Sequence, residues 1–462
     1  MEKKLKNEKE LLKKLEQENK ELKSRLKKLN EDFENIRIYY NGELERINFE
    51  RFARLNYRYL RNHGIFKYLC TVLRSIKKLI CKFYSKLKNK IQRERKIYRK
   101  ELKKILKENR GKKILLFYPG YDWYMKMYQR PQHMAIHFAE ENCLFFYCTS
   151  NINDKIDGFE KIKDGLYITN LYNYLKKKLP KYTLYMCANM NGCYTKELKT
   201  ILKRGNKLLY EYIDDLHEDL TSISPELIER HKFVISNQEI PVVVTAQHLY
   251  NKAKELRGSE KNLILSTNGV VYEDFHITKK LEIPNNIKKI VKENKPIIGY
   301  YGALAKWFDY ELVEKVAKTH PEWNILLIGI DYDQSFASYD YFKYLKNVYY
   351  IGTVDYKELV KYGNCCSVLT IPFVINEITL STSPVKVFEY MSMEKPIVTT
   401  DLPECRKYKS VMIGKNHKEF IDKLELAVKK GNDEDYKKIL RKEALENTWT
   451  NKVHEIIKFI KI

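Results

Sequence analysis

A chain of 462 residues has room for two to three domains with real cores, and its 44% apolar content is ordinary for a soluble protein. Its formal net charge of +26 is unevenly spread: residues 1–112 hold 35 Lys and Arg against 15 Asp and Glu, which leaves only +6 for the rest. Nine scattered cysteines, with no CxxC pair or Cys/His cluster, argue against a disulfide scaffold or structural zinc and for a reducing cytoplasm.

The first ten residues, MEKKLKNEKE, have no apolar core behind them, which predicts a chain without a signal peptide. No uncharged run approaches the roughly 18–20 residues of a membrane span. Residues 1–36 follow a heptad with Leu5, Leu12, Asn19, Leu26 and Phe33 at d and Glu8, Leu15, Leu22, Leu29 and Ile36 at a. That seam predicts a coiled coil and a homo-oligomer, with Asn19 helping to fix register; a single charged helix or a disordered arm is the alternative.

Residues 37–111 are basic and helical in pattern. Within them, 65–91 (IFKYLCTVLRSIKKLICKFYSKLKNKI) sets Leu69, Leu73, Ile76, Leu79, Ile80, Phe83 and Leu87 on one broad stripe among Lys and Arg. A helix of this kind suits an anionic membrane surface, so the expected location is the cytoplasmic side, peripheral on the inner face of the membrane. A helix packed on the next domain, a partner-binding helix and a nucleic-acid arm compete with that reading. No nucleic-acid motif supports the last, so no nucleic-acid partner is expected.

From Lys113 short apolar strands alternate with helices. The first series of expected strands is 113–118, 143–148, 183–187, 207–212, 232–236 and 241–245; the second is 296–302, 323–329, 348–352, 367–371 and 396–400. Two such series predict an α/β chain of two doubly wound, Rossmann-like domains, spanning 112–280 and 281–445, with ligands at the carboxyl ends of the strands. Asn268-Gly269 and 282–295 mark the expected crossover, and 446–462 is expected as a helix packing back on the first domain.

Residues 383–400 (SPVKVFEYMSMEKPIVTT) hold a helix start, a short helix, a break and a strand. Ser383 is a good N-cap, and Pro384 suits the first helical position. Lys386 and Glu389, three apart, share one face. A helix N-terminus with a Lys beside it suits a phosphate, and Glu389 suits a hydroxyl-bearing group; an ordinary amphipathic helix is the plainer reading.

Six segments in order then resemble the GT4-like group of GT-B glycosyltransferases: 242–253, 266–275, 297–313, 324–329, 347–362 and 383–404. Residues 118–135 (YPGYDWYMKMYQRPQHMA) look like the first strand and loop of capsule and teichuronic-acid transferases. The resemblance implies a nucleotide-sugar donor in the second domain. Glu389 would hold the donor ribose, and Lys386 its diphosphate, with the backbone N–H groups of Thr382 and Ser383. Gly302 would allow close approach to the diphosphate, and Gly352, Thr353 and Val354 would meet the base.

The pattern also departs from the family. The position eight before Glu389 is Ser381 where a glutamate is usual, and Glu377 is off register. In the loop after the first strand of the second domain only Lys306 could neutralise phosphate; a solvated loop lysine is the alternative. In the first domain Pro119-Gly120 and Arg130 form the expected acceptor-side loop. His133 and the pair Asp214 and Asp215 are candidate catalytic residues, against a hydrogen-bonded helix-start histidine and a helix N-cap. The resemblance implies no metal and no other cofactor. The expected function is transfer of a sugar to a cell-surface glycan or lipid-linked acceptor, with retention. A non-catalytic nucleotide- or glycan-binding module and a nucleotide-sugar epimerase are the alternatives.

Overall fold

The computed structural model describes residues 92–461 apart from 126–128, 219 and 221. By its contacts the chain divides into two units, Met1–Arg99 and Lys100–Ile462. The expected coiled coil at 1–36 and the amphipathic stretch at 65–91 lie outside the described residues. Residues 100–108 are helical, and Leu102 and Ile105 are buried in the first core described below. Among the described residues no helix is long and apolar enough to cross a membrane.

Two sheets organise the second unit. The first has eight strands, β1 (Lys113–Phe117), β2 (Cys143–Cys148), β3 (Phe159–Lys163), β4 (Leu166–Thr169), β5 (Thr183–Cys187), β6 (Lys207–Tyr212), β7 (Val242–Val244) and β8 (Leu263–Leu265), in the order β3-β4-β2-β1-β5-β6-β7-β8. Only β3, at the edge, runs antiparallel to its neighbour. The second sheet has β9 (Ile297–Tyr301), β10 (Asn324–Ile328), β11 (Val348–Tyr350), β12 (Val368–Ile371), β13 (Ile397–Thr400) and β14 (Val411–Gly414), all parallel, in the order β11-β10-β9-β12-β13-β14.

Central strands of such sheets are covered on both faces, so they read as unbroken apolar runs. CLFFYC in β2 and IIGYY in β9 are buried at every position. In register, Phe117 stands opposite Tyr147 and Tyr185, and its ring contacts both. The helices that matter below are α1 (Arg130–Glu140), α2 (Tyr172–Lys178), α3 (Thr195–Lys203), α4 (Pro225–Ser236), α5 (Gln247–Arg257), α6 (Tyr310–Thr319), α7 (Val385–Ser392), α8 (His417–Lys430), α9 (Glu434–Glu446) and α10 (Trp449–Ile460).

Three sequence expectations are corrected here. Residues 232–236 are the end of α4, not a strand: Ser224 caps it, Pro225 opens it, and Leu227, Arg230, His231, Val234 and Ile235 are buried at helical spacing. The chain crosses between lobes at 268–270. Val270 and Phe275 already pack in the second core, as do Ile287 and Ile290 from the stretch expected to be the linker. Finally, α7 starts at Val385 with Pro384 as its cap residue. Ser383 is drawn out of the helix because its hydroxyl accepts from the Asn268 N–H and its carbonyl from Asn268 Nδ2.

The chain returns to the first lobe at 447–449, where Trp449, Val453, Ile456 and Ile460 of α10 are buried in the first core. The two crossings are joined: Val270 N–H donates to the Asn447 carbonyl (3.0 Å), and Trp449 N–H donates to the Val270 carbonyl (3.1 Å).

Candidate active site

The carboxyl ends of β9 and β10, the loop after β11 and the start of α7 enclose a pocket of about 170 Å³. Its walls include Gly302, Gly329, Thr353, Val354, Lys386 and Glu389. Its floor is a glycine contact. Gly302 (φ +143°) and Gly329 (φ +145°) hold backbone conformations that L side chains rarely adopt, and a Cβ on Gly329 would lie 1.7 Å from the Gly302 carbonyl oxygen. The Gly302 N–H donates to the Ile328 carbonyl, and the Gly329 N–H to the Gly352 carbonyl. Together they bring three strand ends close enough for backbone to touch a ligand.

Lys386, in the first turn of α7, is half-buried, with its ammonium 5.4 Å from the centre of the Tyr300 ring and 5.2 Å from that of Phe373. Burial pulls its pKa down to about 8. Glu389, one turn on, is buried, and burial pushes its carboxyl up to about 7 against the pull of the Tyr301 hydroxyl and the Lys386 ammonium. Two ionisable groups held this close to neutrality in one cleft are unusual for structural residues and suit a charged ligand that completes the balance.

The remaining donor-side residues are less uniform. Gly352 (φ +74°) supplies the carbonyl noted above and lies outside the pocket wall. The Thr382 N–H, expected at the diphosphate, donates instead to the Thr379 carbonyl (3.3 Å), and Ser383 joins the lobes through Asn268. Lys306 is exposed in its loop and is not among the pocket's lining residues; its backbone N–H donates to Asp333. Ser381 is buried, while Glu377 is exposed four residues earlier on the one-turn helix Glu377–Leu380.

In the first lobe Asp214 and Asp215 follow β6 and have opposite environments. Burial and the charge of Asp215 push Asp214 up to about 6. Burial also opposes ionisation of Asp215, but hydrogen bonds from Lys252 Nζ (2.6 Å) and the Tyr212 hydroxyl (2.6 Å) outweigh it and hold Asp215 below the usual carboxylate range. Lys252, on α5, also lies 3.6 Å from Glu377, and His248 lies 3.7 Å from the same carboxylate. A chain of charges therefore joins the carboxyl edge of β6 to the second lobe, next to Asp214. Pro119 is half-buried and Gly120 exposed on the same strand-end side, where a Cβ on Gly120 would meet the Met190 side chain.

Arg130 and His133 do not stand where a substrate could touch them. Arg130 is buried, with Nη2 2.8 Å and Nε 3.1 Å from Glu211 Oε1, and it also donates to the Thr267 carbonyl. Its guanidinium lies over the Trp449 ring, so it ties β6 to both crossings. His133 is also buried: it stacks on Trp449 (4.9 Å) and meets Tyr356 edge-on (5.8 Å), and burial lowers its pKa to about 3. It stays neutral and acts as packing behind the pocket-lining Tyr356. A helix start after strand one usually faces the cleft; here Trp449, arriving from the far end of the chain, covers both residues.

Gly329, Tyr301, Tyr356 and Lys252 were missed in the sequence. Gly329 could have been found, since NILLIG repeats the strand-then-glycine signal of IIGYYG. Tyr301 and Tyr356 become visible only when the strand ends of the second lobe are brought together, and Lys252 only when the two lobes meet.

Residues 295–430 match the family described as glycosyl transferases group 1. A protein assigned to teichuronic acid biosynthesis as a glycosyltransferase (TuaH, Bacillus subtilis strain 168) is 24% identical over 276 residues, covering 57% of this chain and 68% of its own length. Among solved structures, a glycosyltransferase from Rickettsia africae superposes with a TM-score of 0.56 at 12% identity, covering 76% of this chain and 98% of that one. Anabaena HepE in complex with UDP gives 0.54 at 12% identity, covering 76% and 99%. Residues 295–430 thus form a glycosyl transferases group 1 domain, and the chain is a glycosyltransferase with the GT-B fold.

Proposed function

We propose that the chain moves a sugar from a nucleoside-diphosphate sugar, held in the second-lobe pocket, to a cell-surface glycan or lipid-linked acceptor held against the first lobe. The observation that carries this reading is the convergence of Lys386, Glu389 and the Gly302–Gly329 contact on one pocket at parallel strand ends. The likeness to HepE, solved with UDP, supports it at the level of fold.

Transfer breaks the bond between the anomeric carbon and the diphosphate oxygen, and negative charge grows on the leaving diphosphate. The Lys386 ammonium and the first N–H groups of α7 would face that charge in a pocket with partly apolar walls, where they stabilise it more than in open water. Glu389 accepts hydrogen bonds from the ribose hydroxyls. Asp214, kept partly protonated near pH 6, takes the proton of the acceptor hydroxyl once ionised. The resemblance implies retention at the anomeric carbon. Charge on the diphosphate is met by protein groups, so this reading requires no resident metal. Residues 1–111, by their sequence, would seat a coiled-coil oligomer on an anionic membrane near its acceptor.

The test is incubation of the full chain with radiolabelled UDP-, GDP- and dTDP-sugars, with and without a membrane fraction as acceptor source. Release of nucleoside diphosphate with sugar incorporated into glycan or lipid supports the reading. Saturable binding of a nucleotide sugar with no turnover under any acceptor condition overturns it.

A further inference from the structure

The described residues carry a second concentration of positive charge. Residues 172–204 hold eight Lys and Arg and a single acid, Glu197, which leaves the remainder of 113–462 close to neutral. That acid is neutralised in place, accepting from the Tyr172 hydroxyl (3.0 Å) and Lys176 Nζ (2.7 Å). Helices α2 and α3 then border a groove of about 420 Å³ whose lining includes the paired Lys176 and Glu197, the buried Ile201, and Lys177, Tyr194, Lys196, Thr200 and Arg204. The last five are exposed.

Lys196, Thr200 and Arg204 recur every four residues, so they line one edge of α3 at steps of about 6 Å. Tyr194, 58% exposed, stands at the mouth, between the carboxyl end of β5 and the first residue of α3. Strand β5 lies beside β6, whose carboxyl end carries Asp214. The groove therefore begins on the reacting edge of the first lobe and runs away from it.

We propose that this groove is a track for an anionic polysaccharide, holding the part of the acceptor beyond the sugar being extended. The proposal rests on the reading of the first lobe as the acceptor side. An aromatic ring accepts the face of a pyranose, and a line of cations spaced along a concave surface matches carboxylate or phosphate groups repeated along a chain. A bilayer would call for several exposed apolar side chains on a convex face; Tyr194 is the only large exposed hydrophobic residue in this stretch. Single-stranded nucleic acid shares the charge and the stacking, but the groove opens on a sugar-transfer cleft.

The experiment is titration calorimetry of the full chain with oligogalacturonate, a neutral malto-oligosaccharide of the same length, an oligonucleotide, and vesicles of phosphatidylcholine with phosphatidylglycerol. The wild type is compared with Lys177→Glu/Lys196→Glu/Arg204→Glu and with a control, Lys438→Glu/Lys442→Glu, on α9. Expected are oligogalacturonate affinity about tenfold lower in the groove variant and unchanged in the control, and a loss of about threefold in Tyr194→Ala. Equal affinity in wild type and groove variant overturns the proposal. So does a groove variant that loses vesicle or oligonucleotide binding while keeping oligogalacturonate, or a neutral oligomer that binds as tightly as the charged one. UDP binding, measured on the same samples, is a separate readout: its absence would defeat the donor assignment while leaving the groove result standing.

Discussion

The two lobes meet the cleft with surfaces of different kinds. The second lobe offers a pocket whose floor is backbone against backbone, with Lys386 and Glu389 packed among rings and strand ends. The first lobe offers half-exposed carboxylates, a lysine that bridges one of them to Glu377 of the second lobe, and an exposed basic groove. Rigid burial suits a partner whose shape never changes, such as a nucleoside diphosphate. A polar, open surface suits a partner that varies in length and linkage, because losing one contact there costs little. Under the proposed function, this difference would place specificity for the acceptor in side chains and recognition of the donor in the fold itself.

The comparison can be broken most severely at Arg130. If it is a strut between the lobes rather than an acceptor contact, Arg130→Ala leaves Glu211 buried and unpaired, and stability measured by urea unfolding falls by about 3–5 kcal/mol. An Arg130→Ala protein of normal stability but raised acceptor KM would restore it to the acceptor surface. Asp214→Asn tests the open lobe: kcat is expected to fall about a hundredfold, with nucleotide affinity unchanged by calorimetry. Lys386→Ala tests the closed lobe in the opposite sense, with nucleoside-diphosphate affinity falling about thirtyfold, or ~2 kcal/mol, at unchanged melting temperature.

The pH dependence sharpens the same contrast. Burial holds Lys386 at about 8, below the ordinary lysine value, so the empty site loses its cation as pH rises through 8 while a bound diphosphate draws the proton back. Donor affinity should therefore fall between pH 7 and 9, by up to about tenfold per unit once above 8, and Lys386→Arg should flatten the profile. Asp214 acts on the acid side: turnover should rise with pH through about 6, and Asp214→Asn should remove that limb. The smallest effect is expected from Lys252→Ala, which frees Asp215 and Glu377 from one another at a half-exposed site; a loss below about 1 kcal/mol is anticipated by double-mutant cycle with Glu377→Ala.

Most of the fold was legible in the sequence, because buried parallel strands announce themselves as apolar runs. KILLF, CLFFYC, TLYMC, IIGYY and NILLI were all readable in this way. The strands that escaped are short or carry charge: LIL in β8 has three residues, and FEKIK in β3 is a half-exposed edge. KFVIS misled because a buried helix end and a buried strand have the same composition over five residues. In the site, Lys386 and Glu389 were readable from local spacing on one helix. Arg130 and His133 were not, since their environment is made by Trp449, more than three hundred residues downstream. Local chemistry is written locally; burial by a distant segment is not.

The joined crossings have a consequence for how this molecule can move. A single linker would let the lobes swivel about any axis. Here two passages run side by side, each bonded to the other through Val270, Asn447 and Trp449, and a Cβ on Gly269 would meet the Asn447 carbonyl at 2.8 Å. A pair of strands tied this tightly resists twist and shear and leaves bending across the pair as the soft motion. Any closing of the lobes would then follow one arc, and the second-lobe pocket would meet the first lobe in one alignment.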